Sequence, residues 1–244
     1  MNIKARTILR YIRNKSLSPI FETITHVRSF EPVAALTFDD GPHPRFTPML
    51  LDLLAQYEAK ATFFMVGEKA ATHQDIVQQV LAQGHTIGNH SWSHPSFLEI
   101  SRQERWAEVR RCEQALVLNG FRLFRPPYGH QNFSSRMSLF FLGYQVIGWN
   151  VAVQDWLAQT PREMADKLIQ QIRPGSIVLL HDAIYRSRMA EPQHDRQPML
   201  EALKMVLDSL VQQYRFVTIP NLLTYGRPVY KRWHRGRVDA ETTF

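Results

Sequence analysis

The sequence predicts a largely parallel α/β fold whose sheet closes into a barrel. From Val33 onward, short apolar segments alternate with longer segments of helical character, and the connections between them are mostly short. This alternation is the pattern of β–α units, which build parallel sheets. At least six such units follow one another, a number that favours a barrel over an open sheet. A chain of 244 residues can bury one full core, so we predict a single α/β domain.

Seven short apolar segments are the predicted strands. Such runs, bounded by polar residues, are typical of strands in a buried parallel sheet. In chain order they are VAALTF (33–38), ATFFMVG (61–67), HTIGNH (85–90), FRLFRPP (121–127), YQVIGWNV (144–151), SIVLLHD (176–182) and RFVTI (215–219).

The segments between these strands are the predicted helices. One of them ends at Gly84, a residue type that commonly follows a helix. In chain order they are TPMLLDLLAQYEA (47–59), HQDIVQQVLAQG (73–84), SRQERWAEVRRCEQALVLNG (101–120), NFSSRMSLFFLG (132–143), PREMADKLIQQI (161–172) and PMLEALKMVLDSLVQQY (198–214).

The net charge of +7 is concentrated at the two ends of the chain. Residues 1–30 carry a net charge of +5 and residues 227–244 a net charge of +3, which leaves −1 for the body between them. A nucleic-acid-binding domain carries a basic face on its folded body. We therefore predict no nucleic-acid partner and interpret the cations as solvated ends.

Cysteine content and hydropathy narrow the class of protein. Cys112 is the only cysteine, which excludes an intramolecular disulfide and a thiolate metal cluster. No apolar run approaches the roughly 18 residues of a membrane span. Arg6, Arg10 and Arg13 interrupt the N-terminal apolar residues, unlike the apolar core of a signal peptide. We therefore expect a cytoplasmic protein.

The N-terminal segment places Ile8, Leu9 and Ile12 on one face of a predicted helix among cations. This helix either packs on the domain or frays, or it lies on an anionic membrane surface. Tyr230 and Trp233 lie among the C-terminal cations, as is typical of segments at a membrane surface. If the second alternative holds, both ends of the chain would contact the inner face of the membrane peripherally. The predicted organisation is a basic amphipathic segment over 1–30, the α/β domain over 31–226 and a basic tail over 227–244.

Polar side chains follow five of the predicted strand regions at their carboxyl ends. In parallel barrels, catalytic groups collect at this end of the sheet. The residues are Asp39 and Asp40, His90, Arg125, Asp155, and His181 with Asp182.

The segment TFDDGPHP (37–44) puts Asp39 and Asp40 next to each other. Adjacent carboxylates raise each other's pKa unless a cation holds one of them ionised. If one binds a metal, the other stays close enough to act as a base for a water molecule. A turn without chemistry is the alternative, because Asp-Gly-Pro is also favourable turn chemistry.

His90 and His94 are spaced i, i+4 in HSWSH. On one helical turn or in a tight loop, both rings can face the same zinc-like ion, each with a nitrogen about 2.1 Å from it. With one carboxylate they form a two-His, one-carboxylate set that leaves positions open for water and substrate. The pattern predicts a divalent metal, zinc in the first place, with cobalt, nickel or manganese as alternatives.

Two more segments carry candidate groups. Arg125 in RPPYG can hold a carboxylate ionised, and the backbone N–H groups of this turn can receive an oxyanion; a structural salt bridge is the alternative. His181 in LLHD is a candidate general acid, and Asp155 is a candidate partner that would hold its tautomer. Trp156 either stacks on a sugar ring or packs in the core.

In this order, TFDDGP, HSWSH, RPPYG, DW and LLHD resemble the five motifs of carbohydrate esterase family four, the polysaccharide deacetylases. The resemblance runs from about Val33 to Ile219 and is greatest to the compact type that includes the nodulation-factor chitooligosaccharide deacetylases. It implies an irregular (β/α) barrel with seven parallel strands, a catalytic domain over 31–226 and an N-acetylated glycan as substrate.

The resemblance also implies a role for each matched residue. Asp39 is the base, Asp40, His90 and His94 hold the metal, Arg125 orients Asp39, the Tyr128 N–H binds the oxyanion, His181 is the general acid supported by Asp155, and Leu179 and Trp156 line the acetyl pocket. Residues 150–154 depart from the pattern, because many members carry further acids before the Asp-Trp pair. This departure bears on substrate preference more than on catalysis.

These observations predict a metal-dependent hydrolase that removes N-acetyl groups from a sugar and releases acetate. A hydrolase of the same family acting on another bond, such as an O-acetyl ester or a cyclic imide, is one alternative. A non-catalytic relative that binds glycans is the other. The sequence does not indicate an oligomeric state.

Overall fold

The computed structural model describes residues 22–116, 118, 120–185 and 194–232. The predicted amphipathic helix around Ile8 and the end of the basic tail, with Trp233, lie outside these residues. In the described part of the chain, no helix is both long and apolar enough to cross a membrane.

Strands and helices alternate through most of the described chain. The elements are β1 (Thr23–Ser29), β2 (Val33–Asp39), α1 (Phe46–Gln56), β3 (Ala61–Met65), α2 (Gly67–Thr72), α3 (Gln74–Ala82), β4 (Thr86–Asn89), α4 (Arg102–Ala115), β5 (Leu123–Phe124), a 3-10 turn (Pro127–Gly129), α5 (Phe133–Phe141), β6 (Gln145–Val146), β7 (Val151–Ala152), α6 (Pro161–Gln171), β8 (Ile177–His181), α7 (Gln197–Leu210), β9 (Arg215–Phe216), α8 (Ile219–Leu222) and β10 (Gly226–Lys231).

The main sheet is parallel and has the strand order β6-β5-β4-β3-β2-β8-β7, with β9 pairing to the start of β2. Among the described residues no ladder joins β6 to β7, so the barrel has a gap. Strand β1 lies across this gap, where Ile24 bridges to Ile147 and His26 bridges to Ser176. The predicted irregular barrel of seven parallel strands is confirmed.

Strand β2 is at the centre of the sheet, and all of its residues are buried. At its carboxyl end, Asp39 is in register with Phe64 of β3 on one side and with His181 of β8 on the other. Because parallel strands end at the same edge, this register brings a carboxylate and an imidazole to one end of the barrel.

The helices cover the outside of the sheet, and four of the described ones (α4, α5, α6 and α8) begin at a side-chain cap. Ser101 before α4 and Thr160 before α6 each accept from the backbone N–H of a glutamate three residues later, in a capping box. Helix α7 buries Leu203, Val206 and Leu207 in the main core cluster. An amphipathic helix of this kind is stabilised mainly by its packed face.

The predicted strand YQVIGWNV is instead two short strands, β6 and β7. The carbonyl groups of Ile147 and Gly148, between them, accept hydrogen bonds from the buried Arg125 side chain at 3.3 and 2.9 Å. Carbonyl groups that point toward a guanidinium cannot continue a strand ladder, so the strand is interrupted between Val146 and Val151. The sequence motif contains no sign of this long-range contact.

The folded body is wider than the predicted domain of 31–226. Strand β1 pairs antiparallel with β10, from Thr23 with Lys231 to Ser29 with Gly226. Both ends therefore contribute strands that were predicted as parts of a basic segment and a basic tail. Neither strand shows an alternating apolar pattern in its sequence, since β1 reads TITHVRS and β10 reads GRPVYK.

We expect Gly175→Ala to destabilise the protein far more than Gly120→Ala. Both glycines have φ of +84°, but a Cβ at Gly175 would lie 1.8 Å from the Val27 carbonyl oxygen, whereas nothing lies within 4 Å of one at Gly120. The backbone conformation alone costs about 1–3 kcal/mol in each variant. Urea unfolding should show at least about 2 kcal/mol of additional loss for Gly175→Ala. Equal losses would contradict this account.

Candidate active site

Arg125 is fully buried beneath the site and holds Asp39. Its Nη1 donates to Asp39 Oδ1 at 2.7 Å and to Thr37 Oγ1 at 2.7 Å. The guanidinium also stacks 4.2 Å from the centre of the Phe64 ring. Burial lowers the pKa of Arg125, and the Asp39 carboxylate opposes that effect. The ion pair therefore fixes one oxygen of Asp39 and leaves Oδ2, which lies 3.8 Å from His90 Nε2.

Asp40, His90 and His94 form a buried cluster beside this pair. Asp40 Oδ1 lies 3.3 Å from His90 Nε2 and 3.1 Å from His94 Nε2, and one ligand atom from each residue lies within 4.8 Å of the others. The second oxygen, Asp40 Oδ2, accepts from the backbone N–H of Tyr185 at 3.0 Å. The carboxylate is thereby oriented with a single oxygen toward the two imidazoles.

The tautomer of His90 follows from its hydrogen bond. Its Nδ1 lies 2.7 Å from the carbonyl oxygen of Arg125, which can only accept. Nδ1 therefore carries a proton, and Nε2 faces Asp40 Oδ1 at 3.3 Å. Orientation of a ligand imidazole by a backbone carbonyl is common in metal sites.

Charge and burial also suit a metal. Burial raises the pKa of the Asp40 carboxyl, but the neighbouring His94 and His90 outweigh burial and hold that pKa well below its usual range. Burial lowers the pKa of His94, which keeps its ring neutral with a lone pair to give. One carboxylate and two imidazoles are a donor set that fits zinc and similar divalent cations.

A tight loop rather than a helical turn presents the two histidines. Ser91 and His94 have φ of 69° and 58°, in the left-handed region that non-glycine residues rarely adopt. Asn89 Oδ1 accepts from the Ser91 N–H at 2.9 Å, and Glu108 Oε2 on α4 accepts from two further N–H groups of the loop at 2.8 and 2.9 Å. These side chains satisfy the backbone of the strained loop.

His181 and Asp155 form a second pair. His181 Nδ1 lies 2.9 Å from Asp155 Oδ1, and the His181 backbone N–H donates to Asp155 Oδ2 at 2.9 Å. Burial lowers the pKa of His181, but the carboxylates of Asp155, Asp40 and Asp39 together outweigh burial and raise the pKa to about 9. The ring therefore carries a proton at neutral pH, with Nε2 left for a partner. Trp156 meets this ring edge-on at 5.2 Å between centroids.

The remaining predicted residues lie around these groups. Tyr128, with φ of 58°, meets the His94 ring edge-on at 4.6 Å between centroids. Leu179 is buried on β8, two residues before His181 and therefore on the same face of the strand. The structure brings nine of the ten predicted residues into direct contact pairs or clusters, and it places Leu179 next to them along β8.

Four supporting residues were not among the predicted site residues. Thr37 accepts a hydrogen bond from Arg125, and Glu108 accepts one from the backbone of the histidine loop. The backbone N–H of Tyr185 donates to Asp40, and Arg196 donates to the carbonyl of Asp155. Asp182, at the end of β8, is buried and accepts from Thr47 Oγ1, and burial raises its pKa to about 6. A Cβ at position 41 would lie 2.3 Å from this carboxylate, which explains the glycine in the TFDDGP turn.

Comparison with known proteins agrees with this geometry. The family model of polysaccharide deacetylases matches residues 27–147. A peptidoglycan-N-acetylglucosamine deacetylase of Bacillus cereus is 35% identical over 217 residues, which cover 86% of this chain and 97% of that protein. This chain belongs to the polysaccharide deacetylase family. The predicted resemblance to carbohydrate esterase family four is confirmed.

Two further similarities support this membership. A chitooligosaccharide deacetylase of Azorhizobium caulinodans is 33% identical over 181 residues, covering 72% of this polysaccharide deacetylase chain and 86% of the relative. The crystal structure of a peptidoglycan N-acetylglucosamine deacetylase in complex with 4-naphthalen-1-yl-N-oxidanyl-benzamide superposes with a TM-score of 0.74 and 29% identity, covering 84% of this chain and 94% of that one.

We expect Arg125→Met to lower the free energy of unfolding by about 3–5 kcal/mol, because it leaves the buried Asp39 carboxylate without its partner. Arg122→Met is the matched control: Arg122 adjoins the same strand, is 44% exposed and pairs with Glu113. An exposed pair contributes about 1 kcal/mol or less. Urea unfolding of both variants tests the ion pair, and similar losses would contradict its importance.

Proposed function

We propose that this polysaccharide deacetylase is a metal-dependent hydrolase that removes N-acetyl groups from an N-acetylated sugar or oligosaccharide. The observation that carries the proposal is the contrast between two adjacent carboxylates. Asp40 faces two imidazoles, whereas Asp39 pairs with a buried guanidinium through one oxygen only. One carboxylate is arranged to hold a cation and the other to accept a proton.

Asp40, His90 and His94 would hold the metal, and zinc fits their donor atoms best, with cobalt, nickel and manganese as the next choices. When bound, the metal supplies a Lewis acid that polarises the acetyl carbonyl and acidifies water. Every group that moves a proton belongs to the chain itself.

Asp39 is the proposed base. Arg125 keeps it ionised and fixes Oδ1, so Oδ2 is available to take a proton from the attacking water. The water oxygen bonds to the acetyl carbon, and the negative charge moves to the carbonyl oxygen. The backbone N–H of Tyr128 is proposed to stabilise that charge.

His181 is the proposed acid. The carbon–nitrogen bond breaks as His181 gives its proton to the departing amine, which releases acetate and a free amino sugar. The raised pKa of about 9 keeps His181 protonated for this step, and Asp155 holds the ring with Nδ1. Leu179 and Trp156 are proposed to line the pocket for the acetyl methyl group.

The substrate class is proposed from the relatives. Their names specify peptidoglycan N-acetylglucosamine and chitooligosaccharides, both of which carry N-acetyl groups. Hydrolysis of an O-acetyl ester or a cyclic imide uses the same groups and remains the alternative reaction. A non-catalytic glycan-binding role is less well supported, because all the residues that the chemistry needs are in place.

A cytoplasmic location and peripheral contact with the inner membrane face stay predictions. Among the described residues, Tyr230 lies in β10 and packs against a buried cluster around Ile24, rather than in a free tail. The remaining support for membrane contact is the charge of the two end segments, the predicted amphipathic face around Ile8 and Trp233; Ile8 and Trp233 lie outside the described residues. Binding of the full chain to anionic liposomes at low salt would test it.

We expect acetate release from N-acetylglucosamine oligomers to stop when the metal is removed by a chelator and to return when zinc or cobalt is added. The control is Asp40→Ala, which lacks the anionic ligand and should not recover at the same metal concentration. Release that continues in the metal-free protein would contradict the proposed role of the metal.

Asp39→Asn and His181→Ala should each lower kcat on these oligomers by more than about a hundredfold, because each removes one proton transfer. Asp166→Asn, an exposed carboxylate paired with Arg162 on α6, is the control and should keep normal turnover. Circular dichroism should confirm a folded protein in all three variants, although Asp39→Asn is expected to lower the free energy of unfolding because it removes the charge paired with Arg125. Near-normal turnover in the first two would overturn the roles assigned here.

A further inference from the structure

We infer that Arg196 is a positioning residue for the proton donor, acting through Asp155 on His181. The inference rests on the proposed function, in which His181 protonates the leaving group. Arg196 lies immediately before α7, and the pair it serves lies after β7 and at the end of β8.

The contacts of Arg196 join it to Asp155 at two points. Its Nη1 donates to the Asp155 carbonyl oxygen at 3.0 Å and lies 3.4 Å from Asp155 Oδ2. The Arg196 side chain is fully buried. A contact to the backbone and a contact to the carboxylate of one residue together restrict both its position and its rotation.

The two oxygens of Asp155 are used differently. Oδ2 faces Arg196 and accepts the backbone N–H of His181, while Oδ1 faces the His181 ring. Arg196 thus fixes one oxygen and leaves the other to orient the imidazole. Arg125 positions Asp39 similarly: it binds Oδ1, and Oδ2 faces the site on the side of His90.

Burial makes a purely space-filling role for Arg196 costly. Removing a guanidinium from water is energetically unfavourable unless an anion and hydrogen-bond acceptors compensate for it. An apolar side chain of similar volume fills the same space without that cost. The carboxylate and the carbonyl oxygen of Asp155 supply part of this compensation.

The chemistry provides a selective test. An amine leaves only after it has received a proton, so loss of His181 orientation slows amide hydrolysis. 4-Nitrophenolate leaves without a proton, so hydrolysis of 4-nitrophenyl acetate needs the metal ligands and Asp39 but not His181. A damaged fold lowers both activities, whereas a misplaced acid lowers only the first.

The experiment compares Arg196→Met and Arg196→Lys in the zinc-loaded full chain, with Arg105→Met as the matched control. Arg105 is also buried, but its guanidinium donates to the Phe97 carbonyl and to Ser134 Oγ. We expect Arg196→Met to lower kcat on N-acetylglucosamine oligomers about 10–100-fold, as is usual for removal of an outer supporting partner. KM and the rate on 4-nitrophenyl acetate should change less than about threefold, and Arg196→Lys should recover part of kcat.

A double variant separates this route from others. Asp155→Asn already weakens the orientation of His181, so adding Arg196→Met to it should cost little further kcat on the amide. Full multiplication of the two losses would overturn the inference. Equal losses on the amide and the aryl ester, or a pattern matching Arg105→Met, would also overturn it.

Failure of the proposed function gives a different result. Wild-type protein that hydrolyses 4-nitrophenyl acetate but no sugar amide contradicts the N-deacetylase proposal alone. A series of acetate esters with increasingly basic leaving groups then decides the role of Arg196. A steeper fall in rate along the series for Arg196→Met supports the inference, and an unchanged slope overturns it. A wild type that hydrolyses none of these substrates contradicts both proposals.

Discussion

The buried ion pair between Arg125 and Asp39 is the interaction on which the rest of the site depends. A guanidinium without access to water must have its donors satisfied, and here they are taken by Asp39, Thr37 and two backbone carbonyls. Those carbonyls break the strand between β6 and β7, and the Arg125 carbonyl in turn orients His90. One residue therefore joins the proposed base, a proposed metal ligand and the irregular edge of the barrel.

Paired carboxylates in one site need environments that separate their functions. Asp39 and Asp40 are neighbours in sequence, yet one is balanced by a guanidinium and the other by imidazoles. A similar arrangement recurs at the proposed proton donor, where the Arg196 guanidinium and the His181 ring contact different oxygens of Asp155. Holding one oxygen and leaving the other for chemistry is a direct way to fix a carboxylate in a buried site.

Much of the fold and site could be predicted from the sequence. Alternating apolar and amphipathic segments indicated the parallel barrel, because burial on both faces leaves a local pattern in each strand. Polar residues at strand ends indicated the site, since parallel strands end at one edge. The i, i+4 spacing of His90 and His94 indicated a metal pair, although a strained loop rather than a helical turn presents it. Strands β1 and β10 were missed because neither has the apolar run or the alternation of a strand, and their pairing joins segments far apart in the chain.

The sequence by itself determined the order of the β–α units, the types of residue at the strand ends and the family of the chain. Each of these follows from local composition and from the spacing of residues along the chain. Only the tertiary structure decided which oxygen of Asp39 faces Arg125, that Arg196 contacts Asp155, and that β1 bridges to Ile147 after β6 and to Ser176 before β8. These facts depend on side chains that are far apart in the chain. These side chains meet because burial and charge favour their contact in the folded protein, and no local sequence pattern predicts such a contact.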